Sequence, residues 1–134
     1  MIVDTSALMA IILGEPEGAG FLDILAQTNP TRMSAATVAE FLIVAARRDR
    51  LAEAKALLTG LAVETVSVMH ADAVRAAEAY RLWGRGFHVA SLNFGDCFAY
   101  ATAKSFDEPL LFVGKDFAQT DVASAGPPPR TSTS

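Results

Sequence analysis

Cysteine is nearly absent. Cys97 is the single thiol among 134 residues, which excludes an internal disulfide framework and a thiolate zinc site and fits a reducing compartment. Histidine is scarce as well: His70 and His88 stand apart, at no spacing suited to a zinc centre or to imidazole acid–base chemistry. Positive charge is in deficit, with 11 Lys and Arg against 15 Asp and Glu for a net charge of −4. That balance argues against sequence-blind binding of nucleic acid over a broad basic surface. An anionic substrate would need local help, and acids that hold divalent cations supply it, because the metal restores attraction for phosphate. No apolar run reaches the length of a membrane span and no secretory leader is recognisable, so the expectation is a soluble, cytoplasmic protein.

What remains is a chain that is 51% apolar and 19% charged, a composition that folds, at a length suited to one domain. We read residues 1–125 as that domain and 126–134, with Gly126-Pro127-Pro128-Pro129 and a Ser/Thr-rich end, as an extended tail. Apolar content this high in a small chain also points to some surface that meets a partner.

Strand and helix patterns alternate along the domain. Met1-Ile2-Val3 reads as a buried strand, followed by Asp4-Thr5-Ser6 as capping residues for a helix over Ala7 to Leu13. Pro16 suits the start of a second helix, ended by Asn29-Pro30. A strand at Thr31 to Met33, a helix from Ala35 to Arg48 and another from Leu51 to Leu61 come next. Val63 to Val68 alternates as a strand, Ala71 to Trp83 reads as a helix, and Asn93 caps a helix from Phe94 to Ser105. The last strand is Leu110 to Val113, before Gly114-Lys115-Asp116-Phe117. Such alternation predicts a three-layer α/β/α fold, a parallel sheet with helices on both faces, whose ligands gather at the carboxyl ends of the strands.

Asp4 and Asp116 follow strands and therefore lie at that edge. Each also has a plain structural role open to it, Asp4 as a cap for the first helix and Asp116 as a cap for the turn at Phe117. Glu40 sits in a helix whose neighbours at helical spacing, Ala36, Thr37, Ile43 and Val44, offer no cation. The alternative for Glu40 is an exposed face shared with Arg47. Asp96, three residues after Asn93, fits a capping box as well as a ligand. Thr5 and Ser6 are placed to orient Asp4, Cys97 reads as a small core residue, and Arg47-Arg48-Asp49-Arg50 as a solvated helix end.

Taken together, Met1 to Leu8 (MIVDTSAL), Glu40, Asn93 to Ala101 (NFGDCFAYA) and Leu110 to Phe117 (LLFVGKDF) resemble the PIN-domain nucleases, especially the VapC-type toxins of toxin–antitoxin pairs. The resemblance covers all but the tail. It implies that Asp4, Glu40, Asp96 and Asp116 form a catalytic acidic site, with Asp4, Asp96 and Asp116 as metal ligands and Thr5, Ser6 and Asp121 as supporting residues. Oxygen donors without clustered His or Cys favour Mg²⁺, with Mn²⁺ as an alternative. The implied activity is metal-dependent endonucleolytic hydrolysis of RNA, with a homodimer or larger assembly and a VapB-type antitoxin as partners. Two other readings compete: a PIN-like module that binds RNA or protein without turnover, and an Asp4-based phosphate-transfer protein, which the lack of a second acid two residues after Asp4 weakens.

Overall fold

The computed structural model describes residues 1–127, so most of the expected tail lies outside the described residues. Four strands, β1 (Ile2–Val3), β2 (Arg32–Ser34), β3 (Glu64–Val66) and β4 (Leu110–Leu111), form one sheet in the order β3-β2-β1-β4. Every pairing is parallel, as the alternation of strands and helices predicts. Six helices connect them: α1 (Thr5–Ile12), α2 (Gly18–Ala26), α3 (Ala35–Arg47), α4 (Leu51–Gly60), α5 (His70–Trp83) and α6 (Phe94–Phe106). None is long and apolar enough to cross a membrane.

The pleat of so short a sheet sorts the helices into two layers. Val3, Met33 and Leu111 project into a core with Leu8, Phe21, Phe41 and Ala54 from α1 to α4. Their strand neighbours Ile2 and Leu110 project to the other face, among Ala76 and Ala79 of α5 and Cys97, Ala99 and Tyr100 of α6. Successive strand residues point to opposite faces, so strands of two or three residues serve both cores. This is the three-layer arrangement expected from the sequence.

Several boundaries shift for local reasons. The first helix begins at Thr5 rather than Ala7, because the Asp4 side chain accepts the Ser6 amide as N-cap. Pro16 does not open α2. Residues 14–17 turn the chain back on α1, and a Cβ at Gly18 would lie 2.7 Å from the Ala10 carbonyl oxygen, so the helix starts where a glycine permits that approach. The last strand stops after Leu111 because the Val113 amide donates to Ser6 Oγ (3.0 Å) and leaves the ladder. A third polar tie holds the opposite end of the sheet: Glu108 accepts from the Met1 ammonium and from Arg32 Nη1 at 2.8 Å, while Arg32 lies over the Phe106 ring.

The chain adds strands in one direction from β1 to β2 to β3, then returns to place β4 on the other side of β1. The sheet therefore reverses between β1 and β4, and the crevice beyond their carboxyl ends is where a parallel sheet presents a ligand site. Phe41 of α3, which has no exposed surface, fills the core beneath it. Phe41→Ala is expected to lower stability by about 3–5 kcal/mol, measured by urea denaturation.

Candidate active site

Asp4 closes β1 at the switch point and is only 3% exposed. Its amide donates to Leu111 O of β4 at 3.0 Å. Its Oδ2 accepts from the Ser6 amide (3.0 Å) and from Ser6 Oγ (2.7 Å). Ser6 Oγ in turn accepts the Val113 amide, so one serine joins the carboxylate at the end of β1 to the chain leaving β4. Oδ1 is buried and has no hydrogen-bond partner. Burial raises the Asp4 pKa above its ordinary value, with the Ser6 hydrogen bonds opposing and Glu40 adding repulsion. An unpartnered buried acceptor on a group that also caps a helix shows that capping alone does not account for Asp4.

Glu40 reaches the same place from the middle of α3. Its Oε1 accepts from Thr5 Oγ1 at 2.7 Å, so Thr5 orients Glu40, whereas Ser6 orients Asp4. Among the described residues Glu40 forms no ion pair, with Arg47 or otherwise. The carboxylate lies against the first turn of α6, where a Cβ on Gly95 would fall 2.0 Å from Glu40 Oε2. Gly95 is a residue that composition and motif spacing passed over. Its signal is a poor helix former placed beside Asp96 in the first turn of a helix.

Asp96 makes the capping box that the sequence predicts. Asn93 Oδ1 accepts the Asp96 amide at 2.8 Å and Asp96 Oδ2 accepts the Asn93 amide at 3.0 Å. The cap does not exhaust it. Burial first, and then the charges of Asp4, Glu40 and Asp116, push its pKa up from 3.8 to about 7, against the lowering effect of the Asn93 hydrogen bond. That electrostatic coupling places all four acids within one field. Asp116 stands at the start of the short 3-10 turn Phe117–Gln119 but makes no side-chain cap there, so its expected capping role is not taken up and its exposed carboxylate is free of that turn.

Asp121 is engaged elsewhere: it accepts from the Tyr100 hydroxyl and, at 3.2 Å, from Lys104 Nζ. Cys97 is buried, and burial followed by the Asp96 charge pushes its pKa up to about 11, the behaviour of an inert core thiol. His88 Nδ1 accepts the Ala90 amide at 2.9 Å and its ring packs edge-on against Trp83, a structural assignment.

Like charges gathered without a cation invite one. Among the described residues no three His, Cys, Asp or Glu side chains are arranged to hold a metal ion by themselves. The donor set suits a hard ion that keeps several waters and takes one or two carboxylates, as Mg²⁺ does, rather than an ion that demands a complete protein cage. The orphaned Asp4 Oδ1 is the acceptor such an ion would satisfy.

Comparison with known proteins gives concordant results. A family model described as PIN domain matches residues 1–123. The chain is 43% identical over 132 residues to ribonuclease VapC36 of Mycobacterium tuberculosis, covering 94% of each. It is 44% identical over 133 residues to ribonuclease VapC42 of the same species, covering 93% of this chain and 98% of that one. Among solved structures, VapC20 of Mycobacterium tuberculosis, a Sarcin-Ricin loop cleaving toxin, matches with a TM-score of 0.73 at 18% identity, covering 94% of this chain and 98% of that one. VapBC2 from Rickettsia felis, bound to a DNA fragment from its promoter, matches with a TM-score of 0.67 at 14% identity over 92% and 94%. These two structures share the fold.

Two outcomes follow from the site. In the folded protein Asp96 keeps its proton up to about pH 7, whereas an ordinary carboxyl loses it near 3.8. The folded state thus binds more protons between those values, and this contribution to stability falls as pH rises through the window and is flat above it. In chelator, the stability of Asp96→Asn relative to the parent should therefore climb from pH 4.5 to 7.5 in urea titrations; a constant difference would show that Asp96 ionises normally. Gly95→Ala should displace only the end of the Glu40 side chain, so stability stays level or rises by up to about 1 kcal/mol in urea titrations. A large loss of stability would show that the Gly95 contact is a packing constraint.

Proposed function

We propose that this chain, which belongs to the PIN-domain family and within it to the VapC ribonucleases, hydrolyses RNA phosphodiester bonds at the edge defined by Asp4, Glu40, Asp96 and Asp116. The observation that carries the reading is the buried Asp4 carboxylate, fixed by Ser6 through one oxygen and left open at the other, at the switch point of a parallel sheet. The curated relatives, matched over almost the whole chain, are named as ribonucleases. Their activity is transferred to this chain by that likeness.

Asp4, Asp96 and Asp116 would hold Mg²⁺, with Mn²⁺ as a substitute, and the bound ion would supply a Lewis acid beside the scissile phosphate and offset the negative charge of the site. The protein's own groups set the conditions. Ser6 holds Asp4 Oδ2 in place, which fixes the carboxylate and leaves the buried Oδ1 unpartnered among the described residues. Thr5 aligns Glu40 from α1, and Gly95 lets that carboxylate approach α6 closely. Asp96, half-protonated near neutrality in the absence of a cation, gives up its proton when positive charge arrives. Glu40, aligned by Thr5, would orient the attacking water, a role Asp116 could take instead of ligating the ion, since it has no side-chain cap to hold it.

The partner is a VapB-type antitoxin, and the toxin assembles as a homodimer or larger complex in the cytoplasm. Support comes from the family and from exposed apolar side chains on the stretch that leads into α6: Phe87, Val89 and Phe94 are 63%, 76% and 76% exposed. Isolated exposed apolar residues are ordinary, and three within eight residues support a partner-facing segment here.

The test is cleavage of cellular RNA by protein freed of antitoxin, in Mg²⁺ or Mn²⁺, with and without chelator. Supporting groups around a metal are typically worth 10–100-fold, so Asp4→Asn and Asp96→Asn should each lower cleavage by more than about 100-fold, with the fold preserved by circular dichroism. Cleavage equal to the parent in both variants, or undiminished by chelator, would remove the proposed site.

A further inference from the structure

Asp96, Tyr100 and Lys104 recur every four residues along α6 and so form one stripe on its surface. Asp121 lies against the lower part of that stripe. One of its oxygens accepts from the Tyr100 hydroxyl and the other from Lys104 Nζ at 3.2 Å. Tyr100 is itself fixed: it is 6% exposed, and its hydroxyl accepts from Trp83 Nε1 of α5 at 2.9 Å. Residue 121 is thus pinned one helical turn below Asp96, through a chain of hydrogen bonds that begins in a different helix.

Five residues before Asp121 is Asp116. Its side chain makes no hydrogen bond to the turn it starts, so its position depends on how the segment between β4 and Ala123 is held. Phe117 is buried against Phe112, with ring centroids 5.3 Å apart. The other polar contacts of the turn are internal to it: Thr120 Oγ1 donates to Phe117 O at 2.7 Å and accepts the Val122 amide at 3.2 Å. Beyond it, Leu110 N donates to Ala123 O at 2.8 Å and Ala125 N to Leu110 O at 2.9 Å. Among the described residues, Asp121 supplies the polar side-chain cross-links from this segment to the helix that carries Asp96.

We propose that Tyr100 and Asp121 form a latch that fixes the Asp116 segment along α6 and so sets the spacing of Asp116 from Asp96. Asp121 is a positioning residue in this scheme and contributes no ligand to the acidic site. The Tyr100 bond carries the latch, because the Lys104 pair is exposed on both sides and exposed pairs contribute little. The latch holds across the physiological range: burial and the Asp121 contact push the Tyr100 pKa up to about 12, and the Tyr100 hydrogen bond lowers that of Asp121. The consequence for metal binding rests on the function proposed above; the latch itself does not.

The experiment combines Mn²⁺ titration, followed by electron paramagnetic resonance, with hydrogen exchange of residues 114–120 in metal-free protein. Tyr100→Phe and Asp121→Ala break the latch from opposite sides. Each should weaken Mn²⁺ binding by roughly 10-fold, the lower end for supporting groups, and speed exchange of the segment by a similar factor. Asp121→Asn keeps an acceptor for the tyrosine without the charge, and should match the parent in both measurements, as should Lys104→Ala. Parent-like behaviour of Tyr100→Phe and Asp121→Ala would overturn the latch. So would Asp121→Asn binding Mn²⁺ as weakly as Asp121→Ala with exchange unchanged, because the charge would then act on the metal directly. If the parent itself takes up no Mn²⁺, the function proposed above fails, and the exchange comparison still decides the latch.

Discussion

The structure depends on one serine hydroxyl. Ser6 Oγ donates to Asp4 and accepts from Val113, so the same atom orients the buried acid at the end of β1 and draws in the chain leaving β4. A carboxylate in that position would be costly without partners, and beyond the backbone bond from Asp4 N to Leu111 O the serine extends the tie between the two strand ends by one more contact. The opening between them, where the ligand edge of the sheet lies, is shaped by this contact. The close approach of α3 and α6 then completes the enclosure.

The acid cluster works against the stability of the domain that carries it. Burial and mutual repulsion raise the pKa values of Asp4 and Asp96, which means that the ionised forms are disfavoured by the fold. Positive charge placed beside these groups would relieve the same repulsion. The remaining molecule compensates with two well-filled apolar layers and with polar ties at the far end of the sheet, where Glu108 gathers the Met1 ammonium and Arg32.

Much of the architecture was legible because strands and helices differ in period and the chain alternates them cleanly. The parallel sheet and its two helical layers followed from that pattern, and Asp4 and Asp116 fell at the ligand edge by following strands. The positions of Glu40 and Asp96 relative to the edge were not legible from spacing. Helix position fixes a direction, and convergence depends on how α3 and α6 pack, which the sequence expresses only through Gly95 and the family resemblance. The helix starts were misjudged where a side chain or a close approach displaced the usual signal: Asp4 caps ahead of Ser6, and Gly18 rather than Pro16 admits the turn against α1. The last strand is shorter than its pattern suggests because Val113, β-branched and apolar, gives its amide to a side chain, a choice invisible to any pattern of hydrophobicity.

Among the described strands β1 comes first in the sequence and its neighbour β4 last. Parallel pairing between strands so far apart in sequence is slow to close, and here the strand that closes it is the one that leads to Asp116. A chain emerging from the ribosome at roughly 5–20 residues per second can fold α1 to α4 around Val3 and Met33 early and set Glu40 beside Thr5, yet Asp116 is added only after β4 has appeared. Chains that stop short of β4 therefore lack both Asp116 and the strand that pairs with β1 on that side, and the four acids stand together only in molecules whose translation has passed beyond it.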